Sequence, residues 1–155
     1  MGTRHHQVVI SKTGERKISQ YGQWDGYPDI QGVEILRTLR AVDLRVYQDE
    51  LSKIDIISSE QIKVVEASVN PQREYPYLYR DCGSDIHLLI PQGRVKFVNH
   101  ISQKDAEEAC DGFYTVDFQT GFFTSLFGEM KKSYALDNLP SDEVYLSETE
   151  PPEEE

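Results

Sequence analysis

Gln23, Trp24, Asp25 and Tyr27 lie close together in the run Gln20-Tyr21-Gly22-Gln23-Trp24-Asp25-Gly26-Tyr27-Pro28-Asp29, and Trp24 is the only Trp of the chain. Aromatic rings beside amides and carboxylates offer flat apolar faces next to fixed donors and acceptors, which suits a planar or polar ligand. A base-like ring can stack on Trp24 or a Tyr, while Gln20, Gln23 and Asp25 read its edge. Two glycines and a proline break helix and strand alike, so this run is a loop. The alternative is a tight connection. Trp24 and Tyr27 then plug the edge of the core, and Asp25 and Asp29 bond neighbouring backbone N–H groups.

Arg80-Asp81 is the second candidate. Asp81 can cap a helix running from about Cys82 to Ile90, ended by Pro91 and Gly93. Arg80 beside that helix start would combine a guanidinium with free N–H groups, a fair site for a phosphate or carboxylate. The alternative is an Arg80–Asp81 pair that fixes the loop. Ligand recognition is therefore expected at Gln23, Trp24, Asp25, Tyr27 and Arg80, for a small anionic or nucleotide-like ligand.

Catalytic signatures are thin. No Gly-x-Ser-x-Gly, phosphate loop or zinc-protease helix occurs. Cys82 is followed five residues later by His87, a weak nucleophile–base candidate. His5-His6, Cys82 with His87, and His100 with Cys110 lack metal-ligand spacing, and adjacent histidines in a strand point to opposite faces. No catalytic residue, metal or cofactor is expected.

Elements able to position these groups are visible in the pattern. Arg4 to Ser11 and Arg16 to Tyr21 flank a Gly-containing turn and predict a hairpin. Val33, Leu36 and Leu39 recur at helical spacing; Leu44, Tyr47, Leu51 and Ile54 mark a second helix. Residues 55–66 fit strand or helix, and the prolines at 71 and 76 suggest an irregular linker. Arg94 to Ile101 suits a short strand, and Ser102 to Cys110 a helical turn. Phe113 to Phe118 and Phe122 to Phe127, joined by Gln119-Thr120-Gly121, form the clearest hairpin. Hairpins at both ends with helices between predict an α+β fold, a mainly antiparallel sheet in one layered domain.

The length of 155 residues suits one domain with a real core. Residues 1–140 are expected to be globular and residues 141–155 an acidic, flexible tail. That tail holds seven carboxylates and no Lys or Arg, leaving a net charge of −4 on the body out of −11 overall. There is no basic stripe for nucleic acid. No apolar run approaches the roughly 18 residues that span a bilayer, and the mean hydropathy is −0.55. The start lacks a secretory pattern, and His6 stands where myristoylation wants Ser or Thr. Two cysteines make no disulfide framework, so a reducing cytoplasm is expected.

Met1 to Arg4, Tyr21 to Pro28 and Gln31-Gly32 together resemble the opening of a family of small uncharacterised proteins found in phages, bacteria and fungi. Arg80-Asp81-Cys82-Gly83 resembles a second block of that family, which usually reads Arg-Asp-Thr-Gly, so Cys82 departs from it. The resemblance implies a one-domain, phage-related protein and brings no activity with it. By analogy with small phage proteins, the expected role is accessory: non-enzymatic binding of a host signalling ligand or host factor in counter-defence. Two alternatives stay open. A strand, a turn and a strand ending Gly22-Gln23-Trp24-Asp25 are loosely similar to the N-terminal-nucleophile amidohydrolases, which expose Cys, Ser or Thr as the first mature residue. Here Gly2 would be first, and Thr3 would serve only after a second cleavage. The other alternative is a protein–protein adaptor with an exposed aromatic patch.

Overall fold

The computed structural model describes residues 3–79, 82–98 and 110–149. β1 (His5–Ile10) and β2 (Arg16–Gly22) form the expected first hairpin, and β5 (Gly112–Asp117), β6 (Phe122–Phe127) and β7 (Met130–Ala135) an antiparallel meander. The two hairpins share one sheet of order β2-β1-β5-β6-β7, joined by the parallel pairing of β1 with β5. The fold is thus α+β, one domain on a mainly antiparallel sheet. Both chain ends must come together to build it, because the joint lies between its first strand and a strand more than 100 residues later.

Strand alternation sorts the side chains. Gln7, Val9, Ile18, Gln20, Tyr114, Val116, Phe123 and Ser125 share one face, as their cross-strand registers require. Helices cover that face. α1 (Val33–Ala41) contributes Ile35, Leu36 and Leu39, and α2 (Leu44–Ser52) contributes Tyr47 and Leu51, all buried. Asp43 caps α2 by accepting from the N–H groups of Arg45 and Val46. His6 lies on the opposite face, buried, stacked on Phe113 and hydrogen-bonded to Ser19 Oγ at 2.6 Å.

The middle of the chain resolves what sequence left open. Asp55–Ile56 is a two-residue strand, β3, paired in parallel with β4 (Phe97–Val98). α3 (Ser59–Glu66) then starts from a Ser58/Gln61 capping box, a local signal strong enough to prevail over the β-branched residues that follow. The expected linker contains a helical turn, α4 (Pro71–Glu74): proline fits the first helical position, and Asn70 caps it. The helix expected at Cys82 to Ile90 is shorter, a 3-10 turn at Gly83–Asp85 running into α5 (Ile86–Leu89). Within the Arg94 to Ile101 run only Phe97–Val98 is strand among the described residues. Arg80 and Asp81 lie outside the described residues, as does the helical turn expected from Ser102 to Cys110 except for Cys110, which is not helical.

The acidic C-terminal segment departs most from expectation. Residues 142–149 fold as α6 (Asp142–Thr149) and are not a flexible tail; residues 150–155 lie outside the described part. Tyr145 is fully buried, packed by the rings of Phe123 and Tyr134. The helix start is clasped by Arg37 and Arg40 of α1, both bonded to the Asp142 carboxylate. The hydrogen bond from Arg37, then that from Arg40, hold Asp142 below the usual carboxylate range against its partial desolvation. An apolar anchor and two cations therefore outweigh the repulsion of a charged segment.

Candidate functional site

The aromatic loop is stapled at its two glycines, with Trp24 and Asp25 exposed at its tip. At the end of β2, the His5 ring occupies the space a side chain on Gly22 would need. Gly26 N–H donates to Thr3 O at 3.0 Å, and Gly26 O accepts from the Tyr114 hydroxyl at 2.6 Å. A Cβ on Gly26 would lie 2.7 Å from Thr3 O, so only glycine lets the loop approach the first strand this closely. Between the staples sit Trp24 and Asp25, both exposed. Asp25 has φ = 61°, a left-handed conformation that costs energy for a residue with a Cβ, though less for Asp than for most. Asp25→Gly is expected to raise stability by up to about 1 kcal/mol, measured by urea unfolding. A destabilised Asp25→Gly would show the side chain to be structural.

Beyond Gly26 the chain turns. Tyr27 O accepts from the N–H groups of Ile30, Gln31 and Gly32, closing a π-type turn over Pro28–Gly32. Tyr27 is 45% exposed, and its ring is propped by Phe127 with centroids 5.3 Å apart. This turn faces α6 across a cleft of about 750 Å³. Residues 27–30 form one wall; Leu146, Ser147 and Thr149 form the other. The cleft falls in the size range of small-molecule sites. Aromatic and aliphatic side chains supply most of its lining, with Asp29 as its one carboxylate among the described residues.

The expected site residues separate in space. Tyr27 lines the cleft, whereas Gln23, Trp24 and Asp25 do not. Gln23 is half-buried, and Trp24 is exposed on the neighbouring tip. Arg80 lies outside the described residues. The α6 wall escaped sequence reading because Val144, Tyr145 and Leu146 are consecutive, so no helical stripe marks a buried face. Ser141, whose Oγ accepts from Val144 N–H, was the available signal: a cap followed by three apolar residues.

Cys82 and His87 do not form a pair that could activate a thiol. Both nitrogens of the buried His87 ring are engaged, Nδ1 by the Tyr47 hydroxyl at 2.7 Å and Nε2 by Gln7 Oε1 at 2.7 Å. Gln7 Oε1 only accepts, so Nε2 carries the proton and the Tyr47 hydroxyl donates to Nδ1. Burial lowers the His87 pKa to about 3, so the ring is neutral. Burial likewise pushes the Cys82 thiol up to about 12, helped by the Asp85 charge, so thiolate is scarce at neutral pH. Neither Cys82 nor Cys110 is in a disulfide.

No helix among the described residues is long and apolar enough to cross a membrane. No family model, curated protein or solved structure matches this chain.

Proposed function

We propose that this protein is a non-enzymatic binding protein that seats a small planar ligand in the cleft between residues 27–30 and α6. One observation carries the reading: an exposed Tyr27 ring, held by Phe127, forms a wall of a cleft of about 750 Å³. A ring fixed before the ligand arrives loses little freedom on binding, which favours stacking. The strained Asp25 beside it supports the same loop as a functional element. The sequence resemblance supports the biological half of the reading, a phage-type accessory protein acting on a host signalling ligand or host factor.

A thermal-shift screen against nucleobases, nucleosides and other small planar compounds tests this. Tyr27→Ala is expected to weaken any hit by at least about tenfold, while changing stability by under about 1 kcal/mol because the ring is half exposed. Trp24→Ala should leave affinity nearly unchanged, since Trp24 does not line the cleft. Loss of binding in Trp24→Ala alone would move the site to the loop tip. No shift with any compound, together with a stable host-protein complex, would favour the adaptor.

The amidohydrolase-like alternative has one contact in its favour: the bond from Gly26 N–H to Thr3 O places residue 3 at the base of the aromatic loop. It requires a chain processed to Thr3. An intact mass that retains Gly2 would remove it.

A further inference from the structure

The polar side chains of the cleft present almost only acceptors. Ser147 Oγ donates its proton to Val144 O at 2.9 Å, and Thr149 Oγ1 donates to Tyr145 O at 2.7 Å. Each hydroxyl has a single proton, so both offer lone pairs to anything else they meet. Asp29 accepts and does not donate when ionised. The Tyr27 hydroxyl can do either, and the remaining lining residues have apolar side chains. No Lys, Arg or His lines the cleft among the described residues.

The charge of Asp29 points the same way. Burial is the main cause that pushes the Tyr114 and Tyr145 phenols up, and the Asp29 charge adds to it, opposing the ionisation of both. Asp29 itself is exposed on the turn, so its charge is open to a ligand entering the cleft. An anion entering the cleft would meet a carboxylate and two acceptor oxygens. A cation with N–H donors would satisfy all three and could lie on the Tyr27 ring, whose face attracts positive charge.

Resting on the reading of this cleft as the binding site, we propose that its ligand is a planar organic cation bearing N–H donors, of the amidinium, guanidinium or amino-heterocycle class, with its ring on Tyr27 and its cationic edge on Asp29. The anionic ligand expected from Arg80 would have to bind elsewhere, because the described lining of this cleft offers an anion no cationic partner.

Benzamidine, benzamide and benzoate share a shape and differ in charge, so titrating the whole chain with each by calorimetry or NMR separates the possibilities. Benzamidine should bind at least about tenfold more tightly than benzoate. Asp29→Asn should weaken benzamidine by about tenfold and benzamide by less than about threefold, whereas Tyr27→Ala should weaken both. A thermal melt checks that each variant folds. Benzoate binding as well as benzamidine, or benzamidine unaffected by Asp29→Asn, overturns the cationic class. The cleft reading then survives if benzamide binding still depends on Tyr27. Failure of all three probes to bind overturns both.

Discussion

Tyr145→Ala is expected to lower the free energy of unfolding by about 3–5 kcal/mol, the range for removing a large buried aromatic. Tyr145 is fully buried, and its ring packs on Phe123 and Tyr134. Its hydroxyl lies where a Cβ on Gly32 would stand and bonds Ser125 Oγ at 2.8 Å. One side chain thus ties α6 to β6 and to the turn that carries the cleft. Its loss leaves a cavity and strands a buried serine hydroxyl. Tyr145→Phe separates these effects: it keeps the ring and loses the hydrogen bond, and should cost about 1–2 kcal/mol. Urea unfolding is the measurement, with an unchanged denaturant slope showing that the same surface is exposed. A loss below about 1 kcal/mol for Tyr145→Ala would mean that α6 is not part of the folded body.

Acidification should destabilise the fold through His87. An unfolded histidine titrates near 6.5, whereas burial takes His87 down to about 3. Its folded pKa is depressed, so its contribution to stability is complete above about pH 6.5 and fades as the pH falls toward 3. Across that window the unfolded chain binds a proton that the native ring refuses. The slope approaches about 1.4 kcal/mol per pH unit, and the total is up to about 4–5 kcal/mol. Replacement by a neutral polar residue, His87→Gln, can retain part of the bonding to Tyr47 and Gln7 but cannot titrate. It should be less stable at neutral pH and show a flatter profile between pH 6 and pH 4. Parallel profiles for the two proteins, measured by urea unfolding at each pH, would contradict a neutral buried His87.

The sequence disclosed elements whose signals are local. β-rich runs on either side of Gly14 and Gly121 marked both hairpins, and the spacing of Val33, Leu36 and Leu39 marked α1. What joins them is not local. The parallel β1–β5 pairing depends on a meeting of residues distant in sequence, and no spacing encodes it. Charge misled at the C-terminus: Asp142, Glu143 and Glu148 read as a solvated tail, while the single ring of Tyr145 and the cations of α1 decide its place. The candidate site was half legible. The loop composition singled out Tyr27, but stacking potential alone ranked Trp24 equally, and only the fold sets Tyr27 against Phe127 on the cleft wall while Trp24 stays on the tip. Asp29 read equally well as a turn-capping residue. Its different place against α6 appears only once that helix is docked.

NMR mapping of a planar aromatic probe on the isotopically labelled protein tests the central claim most directly. Amide shifts that cluster at Asp29, Ile30, Leu146 and Ser147, and disappear in a folded Tyr27→Ala variant, are the predicted result. Shifts confined to the Trp24 tip, or unchanged by Tyr27→Ala, would contradict a binding cleft between the turn and α6.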